Sequence, residues 1–172
     1  LHGAFILSQW RISQFGESDQ KKYRMAMSPH AYTVKDLNIP DRLDALNAVT
    51  RYHHYEVMYY RSNLVMHGRR MGCLIQELSR VVKKILPNFD TERAKLLALV
   101  HDDIEICIGD IAAAIKVTMT PAERLELKKR ERDSMPILAK RFFSLKGESA
   151  YAWYASLLQE ADACETQEAQ LM

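Results

Sequence analysis

Residues 101–110 read His-Asp-Asp-Ile-Glu-Ile-Cys-Ile-Gly-Asp. A histidine and an aspartate stand side by side at the end of an apolar helical run, and two further carboxylates, Glu105 and Asp110, follow closely. The isoleucines between them are expected to be buried. Carboxylates crowded among apolar side chains lose solvation and repel one another unless a cation or a proton lies among them. The stretch therefore predicts a metal site.

The composition is that of an ordinary globular domain. A chain of 172 residues with 48% hydrophobic and 27% charged residues can bury one core. The formal net charge of +2, with scattered basic residues, does not favour nucleic-acid binding. No run of about 18 apolar residues predicts a membrane span. Three cysteines without paired spacing indicate a reducing compartment, so we expect a cytoplasmic location.

The helical pattern defines the domain. Residues 1–40 show weak periodicity and form an N-terminal extension of uncertain structure. From residue 41 to residue 172 the sequence is helical in pattern. Because the chain begins on leucine and stops at Met172 within that pattern, we expect the domain at 41–172 to be truncated at its C-terminal end.

Two predicted helices carry the histidines. Ser62-Asn63 can cap the first, on which six side chains spaced 4-3-4-3-4 predict one inward seam: His67, Met71, Leu74, Leu78, Val81 and Ile85. Asp90-Thr91 can cap the second, which ends at His101. An acidic group beside the negative end of that helix is unfavourable without a cation.

Further helices complete an all-α prediction. One begins near Pro40 and continues towards Tyr52. Thr120-Pro121-Ala122-Glu123 predicts a capping box and a helix to about Phe143, with a kink or break at Pro136. After Gly147 a helix is expected over 148–162.

Two histidines on separate helices and the adjacent Asp102 can converge on one divalent cation, and their donor atoms suit zinc, manganese, iron or cobalt better than calcium. A lone histidine on an apolar helix face is more often a core residue. The prediction of a metal site therefore depends on the histidines and carboxylates taken together. Asp110 can equally be read as the cap of a short helix over 111–116. Asp103 is expected to be solvated and uninvolved.

The pattern His67 … His101-Asp102 … Glu105 … Gly109-Asp110 resembles the HD superfamily of metal-dependent phosphohydrolases. The block that begins at His101 is similar in particular to the 5′-deoxynucleotidase (YfbR-like) branch, which removes phosphate from deoxyribonucleoside monophosphates. The resemblance covers roughly residues 46–172. It implies an all-α, HD-domain helical bundle over 41–172.

The resemblance also implies roles for single residues. His67, His101 and Asp102 would hold one divalent metal cation, whether Zn, Mn, Co, Fe or Mg. Glu105 and Asp110 would be the catalytic pair, near the attacking water and the leaving oxygen. Three residues would bind the substrate: Arg51, Tyr52 and Arg61.

The fourth metal ligand of that family has two candidate positions. Asp162 follows an alanine, as the family's ligand does. Alternatively, residues 165–169 (Glu-Thr-Gln-Glu-Ala) resemble the lead-in to the ligand's helix, which would place the ligand beyond Met172. We favour the second interpretation because the lead-in matches over more positions.

The resemblance implies a phosphomonoesterase whose substrate is a small phosphate ester, most simply a nucleoside 5′-monophosphate. The family often dimerises through helical faces, so a homodimer is compatible with it. The alternative function is a non-catalytic nucleotide-binding or regulatory module on the same HD fold. A purely structural helical protein is a third interpretation.

Overall fold

A computed structural model describes residues 32–51 and 62–171 of the chain. Within those ranges the structure is helical and contains no β-strand, which confirms the all-α prediction. Short 3₁₀ helices lie at Val34–Leu37 and Ser144–Lys146. The α-helices, in chain order, are α1 (Pro40–Ala48), α2 (Leu64–Ile85), α3 (Thr91–Val100), α4 (Glu105–Ile108), α5 (Ala113–Thr118), α6 (Pro121–Phe143), α7 (Glu148–Ala163) and α8 (Gln167–Gln170).

Three predicted caps are present at the helix starts. Asn63 accepts a hydrogen bond from the backbone of Met66 at the start of α2, and Asp90 does the same for Arg93 at the start of α3. The capping box at Thr120 is confirmed in full. These starts were predictable because capping depends on residues adjacent in sequence.

Helix α6 continues through Pro136, so the predicted break is wrong. A proline inside a helix removes one backbone hydrogen bond and crowds the preceding turn. Here buried side chains on both sides of it, Met135 and Leu138, pack into the main core and keep the helix continuous. Tertiary packing outweighs the local cost.

Helix α3 is the centre of the bundle. It packs against α2, α7 and α8, and four of its residues, Ala94, Leu97, Ala98 and Val100, are fully buried. The main core lies where α3, α6 and α7 meet, and its aromatic side chains stack: Phe143 and Tyr154 have ring centroids 4.4 Å apart. A rigid central helix fixes the position of whatever follows its C-terminal end.

A buried ion pair locks the turn that follows α3. Asp103 is 1% exposed and accepts hydrogen bonds from Arg42 Nε at 2.6 Å and Arg42 Nη2 at 2.8 Å. The Tyr154 hydroxyl also donates to Asp103. Burial raises the pKa of Asp103, while the Arg42 guanidinium and the Tyr154 hydroxyl counter that shift. The expectation that Asp103 is solvated is therefore wrong, although Asp103 lies outside the described group of possible metal donors.

Arg42 also donates hydrogen bonds to two backbone carbonyls. Nη1 donates to the Leu37 carbonyl at 2.9 Å and Nη2 to the Leu99 carbonyl at 2.6 Å. One guanidinium thus ties the segment before α1 to the end of α3. Tyr154 adds α7 to the same network.

The predicted inward seam of α2 is wrong over most of its length. Leu74, Val81 and Ile85 are 50%, 57% and 76% exposed, and Leu78 is 39% exposed. The buried residues of α2 are instead Leu64, Val65, Gly68, Ile75 and Ser79. Gly68 and Ile75 lie against α3, whereas Leu64 and Val65 pack with Leu46 of α1. Heptad spacing identifies an apolar stripe, but it does not say which stripe of the helix meets the neighbouring helix.

Within the described residues no helix combines the length and apolar character needed to cross a membrane.

Candidate metal centre

Three side chains from two helix ends meet at one point. His67 lies in the first turn of α2, His101 is the C-terminal cap of α3, and Asp102 begins the turn that follows. One ligand atom from each of the three lies within 4.8 Å of the others. The packing of α2 along α3 brings these residues together across 34 positions of sequence.

Each histidine lies close to one oxygen of the Asp102 carboxylate. His67 Nε2 lies 3.5 Å from Asp102 Oδ2, and His101 Nε2 lies 3.1 Å from Asp102 Oδ1. Ligand atoms that share one ion at bond lengths near 2.1 Å are about 3.0–3.4 Å apart. The three donors therefore fit a small divalent cation, and two imidazoles with one carboxylate suit a transition metal.

The backbone of α3 selects the tautomer of His101. Its Nδ1 lies 2.8 Å from the carbonyl oxygen of Ala98, a distance that requires Nδ1 to carry the proton and donate it. In the neutral tautomer with that proton, Nε2 carries the lone pair, and it lies 3.1 Å from Asp102 Oδ1. A histidine ligand held by a hydrogen bond from its other nitrogen is the usual arrangement in metal sites.

Arg51 also reaches the cluster. Its Nη1 donates to Asp102 Oδ2, the same oxygen that faces His67. Burial lowers the pKa of His67 first, and the positive charge of Arg51 lowers it further. His67 is thus kept neutral, which is the form that binds a metal.

Glu105 lies at the first residue of α4, one turn after Asp102. Its Oε2 is buried and has no hydrogen-bond partner among residues 32–51 and 62–171. Burial, together with the charges of Asp102 and Asp110, raises the pKa of Glu105 to about 8. A carboxyl group in this state can hold a proton at neutral pH and release it to a reacting oxygen.

Asp110 is 7% exposed and adds its charge to the surroundings of Glu105. Gly109 precedes it with φ of 80°, a conformation that suits glycine and that turns the chain after α4. Helix α5 begins at Ala113, and its N-terminal cap is Ala112, with no side-chain hydrogen bond. The alternative interpretation of Asp110 as the cap of a helix over 111–116 is therefore wrong.

A cavity of about 650 Å³ opens beside the cluster, a size typical of small-molecule sites. His101, Asp102 and Glu105 form one wall. Basic side chains from α5 and α6 are also part of the lining: Lys116, Arg124 and Lys128. The sequence did not indicate that Arg124 and Lys128 face this cavity, because their Lys/Arg/Glu-rich segment is equally typical of a solvated helix face.

Comparison with known proteins agrees with this geometry. A family model for the HD domain matches residues 44–172. The chain belongs to the HD domain family. The HD domain is also similar to the crystal structure of a predicted metal-dependent phosphohydrolase from Magnetospirillum magnetotacticum MS-1. The two share 25% sequence identity with a TM-score of 0.56 over 76% of this chain. This chain spans 59% of that protein. No curated protein matches this chain.

The position of Asp162 bears on the fourth ligand of the HD domain. Asp162 is a lining residue of the cavity, but it lies outside the group of three donors that the described part of the chain brings together. Thr166 caps α8, and Ala169 is buried against the core. The segment 165–169 thus contains a helix start at the bundle. Whether the fourth ligand is Asp162 or lies beyond Met172 stays a prediction.

Two predicted substrate-binding residues, Tyr52 and Arg61, lie outside the described residues of the HD domain, as does the extension up to residue 31. Arg51 is the member of that set whose position is defined. Its backbone N–H donates to the Ser62 carbonyl at 3.0 Å, and the adjacent Thr50 pairs with Asn63 in an antiparallel bridge. Arg51 is therefore anchored beside the start of α2.

The raised pKa of Glu105 predicts that the stability of the HD domain depends on pH. The folded state holds this proton to about pH 8, whereas the ordinary value is 4.5. The stabilisation that the protonated Glu105 carboxyl group gives the folded state is therefore present below pH 4.5 and is lost as the pH rises through about 8. With EDTA present, we expect the free energy of unfolding of the wild type to fall across this range more steeply than that of Glu105→Gln. Urea titrations at several pH values measure the free energies of unfolding of both proteins. The same dependence on pH in the wild type and in Glu105→Gln would contradict the prediction.

Proposed function

We propose that this protein is a metal-dependent phosphomonoesterase that acts on (deoxy)nucleoside 5′-monophosphates. The observation that supports it most is the convergence of His67, His101 and Asp102 beside a cavity lined by Glu105. The similar structure from Magnetospirillum magnetotacticum is described as a predicted metal-dependent phosphohydrolase. The resemblance of residues 101–110 to the 5′-deoxynucleotidase branch supports the choice of substrate.

Each group of the site has a task in phosphomonoester hydrolysis. A divalent ion bound to the two histidines and Asp102 would supply Lewis acidity and activate water. Arg51 can form charge-assisted hydrogen bonds with the phosphate oxygens. Glu105 can carry the proton that the leaving alkoxide needs. Apolar side chains of the cavity wall, among them Ile104, Ile108 and Leu127, can cover the nucleoside and keep water away.

A non-catalytic nucleotide-binding or regulatory module is the second candidate. The described residues bring three donors together, and three donors can hold a metal ion less tightly than four. Such a protein would bind a nucleotide without hydrolysing it. A homodimer and a cytoplasmic location also remain predictions from the sequence.

Phosphate release from deoxynucleoside monophosphates tests the proposal. We expect release in the presence of Mn²⁺, Co²⁺, Mg²⁺ or Zn²⁺, none with EDTA, and less from nucleoside triphosphates. Asp102→Asn should abolish it, whereas Asp133→Asn, a matched change at an exposed position on α6, should not. Nucleotide binding without turnover would support the regulatory module instead. Failure to bind any metal would contradict the phosphomonoesterase.

A further inference from the structure

Arg51 and a metal ion require the same carboxylate. Asp102 Oδ2 accepts a hydrogen bond from Arg51 Nη1 and lies 3.5 Å from His67 Nε2. The side chains of Arg51 and Asp102 are only 15% and 17% exposed, so solvent screens their charges weakly. The guanidinium is therefore a cation placed at the edge of the metal cluster.

The backbone keeps this guanidinium close. The hydrogen bond from Arg51 to Ser62 and the bridge between Thr50 and Asn63 hold the residue beside the first turn of α2, where His67 lies. Its charge is therefore held against the Asp102 carboxylate and near His67. A divalent ion among the same donors would meet that charge at short range.

We propose that Arg51 competes with the metal ion for Asp102, and that a phosphate group, by binding Arg51, releases the carboxylate to the metal. Phosphate offers the guanidinium an alternative bidentate partner, so its binding removes the competing charge. Linkage then requires that metal and phosphate each strengthen the binding of the other. The inference rests on the proposed function, because it assigns to Arg51 the phosphate of the substrate.

Metal binding, measured without turnover, tests this inference. Free Mn²⁺ can be followed by its electron paramagnetic resonance signal during titration of the whole chain. Because removing a unit charge beside a divalent ion favours binding, Arg51→Gln should bind Mn²⁺ at least about tenfold more tightly than the wild type. Arg51→Met should behave in the same way, whereas Arg51→Lys, which keeps the charge, should resemble the wild type.

The matched control is Arg69→Gln, which removes an exposed positive charge from α2 and should leave Mn²⁺ affinity unchanged. Inorganic phosphate should raise the Mn²⁺ affinity of the wild type by a larger factor than that of Arg51→Gln, because the variant has no competing charge to remove. Thermal unfolding in EDTA checks that each variant is folded, and the two uncharged variants provide independent measurements.

The opposite results overturn the inference. If Arg51 merely orients Asp102 as a supporting hydrogen-bond donor, both uncharged variants bind Mn²⁺ no more tightly, or more weakly, than the wild type. In that case the wild type still binds metal, and the proposed function stands. If neither the wild type nor the variants bind metal, the inference and the proposed function both fail. Binding by Arg51→Gln alone supports the inference.

Discussion

Asp103→Ala is expected to lower the free energy of unfolding by about 3–5 kcal/mol, because it leaves the charge of Arg42 buried without its carboxylate. Arg42 is 2% exposed, so water cannot replace the lost partner. Tyr154, whose hydroxyl donates to Asp103, loses its acceptor as well. Since small domains are stable by only about 5–15 kcal/mol, urea denaturation should show a large shift of the midpoint.

Two comparisons identify the unpaired charge as the cause. Asp44→Ala removes an exposed carboxylate from the same helix as Arg42 and should change stability by less than about 0.5 kcal/mol. The double variant Arg42→Met/Asp103→Leu removes both charges and should be more stable than Asp103→Ala alone. A loss of less than about 1 kcal/mol in Asp103→Ala would contradict the predicted cost of an unpaired buried charge.

The sequence could predict the parts of this fold that depend on neighbours in sequence. Asn63, Asp90 and Thr120 cap helices because each can reach the backbone two or three residues ahead. The two helices that carry His67 and His101 were therefore predicted with nearly correct limits. The pairing of these helices then brought the predicted metal ligands together.

The predictions from the sequence that were wrong concern contacts between residues that are far apart in the chain. Asp103 reads as one more acidic residue beside Asp102, and its burial depends on Arg42 and Tyr154, which are 61 and 51 positions away. The apolar stripe of α2 at Leu74 and Val81 follows the predicted spacing, yet α3 packs on the adjacent stripe. Neither fact is encoded in local periodicity. The cavity wall from α6 was missed for the same reason.

Glu105→Gln is the substitution for which we expect the largest loss of activity among those that leave the metal ligands intact. The amide has the size of the carboxyl group but cannot hold and release a proton in the catalytic range. General acid–base groups contribute factors of about 10²–10⁴, so the rate of phosphate release at saturating substrate should fall by that amount. Assays with a deoxynucleoside monophosphate and Mn²⁺ measure the rate, and titration with Mn²⁺ alone measures metal binding.

Comparing the rate of phosphate release with the Mn²⁺ affinity separates the loss of a proton donor from the loss of the metal ion. His67, His101 and Asp102 supply the donors, so the Mn²⁺ affinity of Glu105→Gln should stay within the range of the wild type while the rate falls. Glu131→Gln is the matched control, since Glu131 lines the same cavity and pairs with Lys116 at 4.0 Å rather than with the cluster. It should keep its activity. If Glu105→Gln retains wild-type turnover, the proton must come from another group. If it loses activity and metal together, Glu105 belongs to the coordination shell, and its buried Oε2 would then be the missing donor.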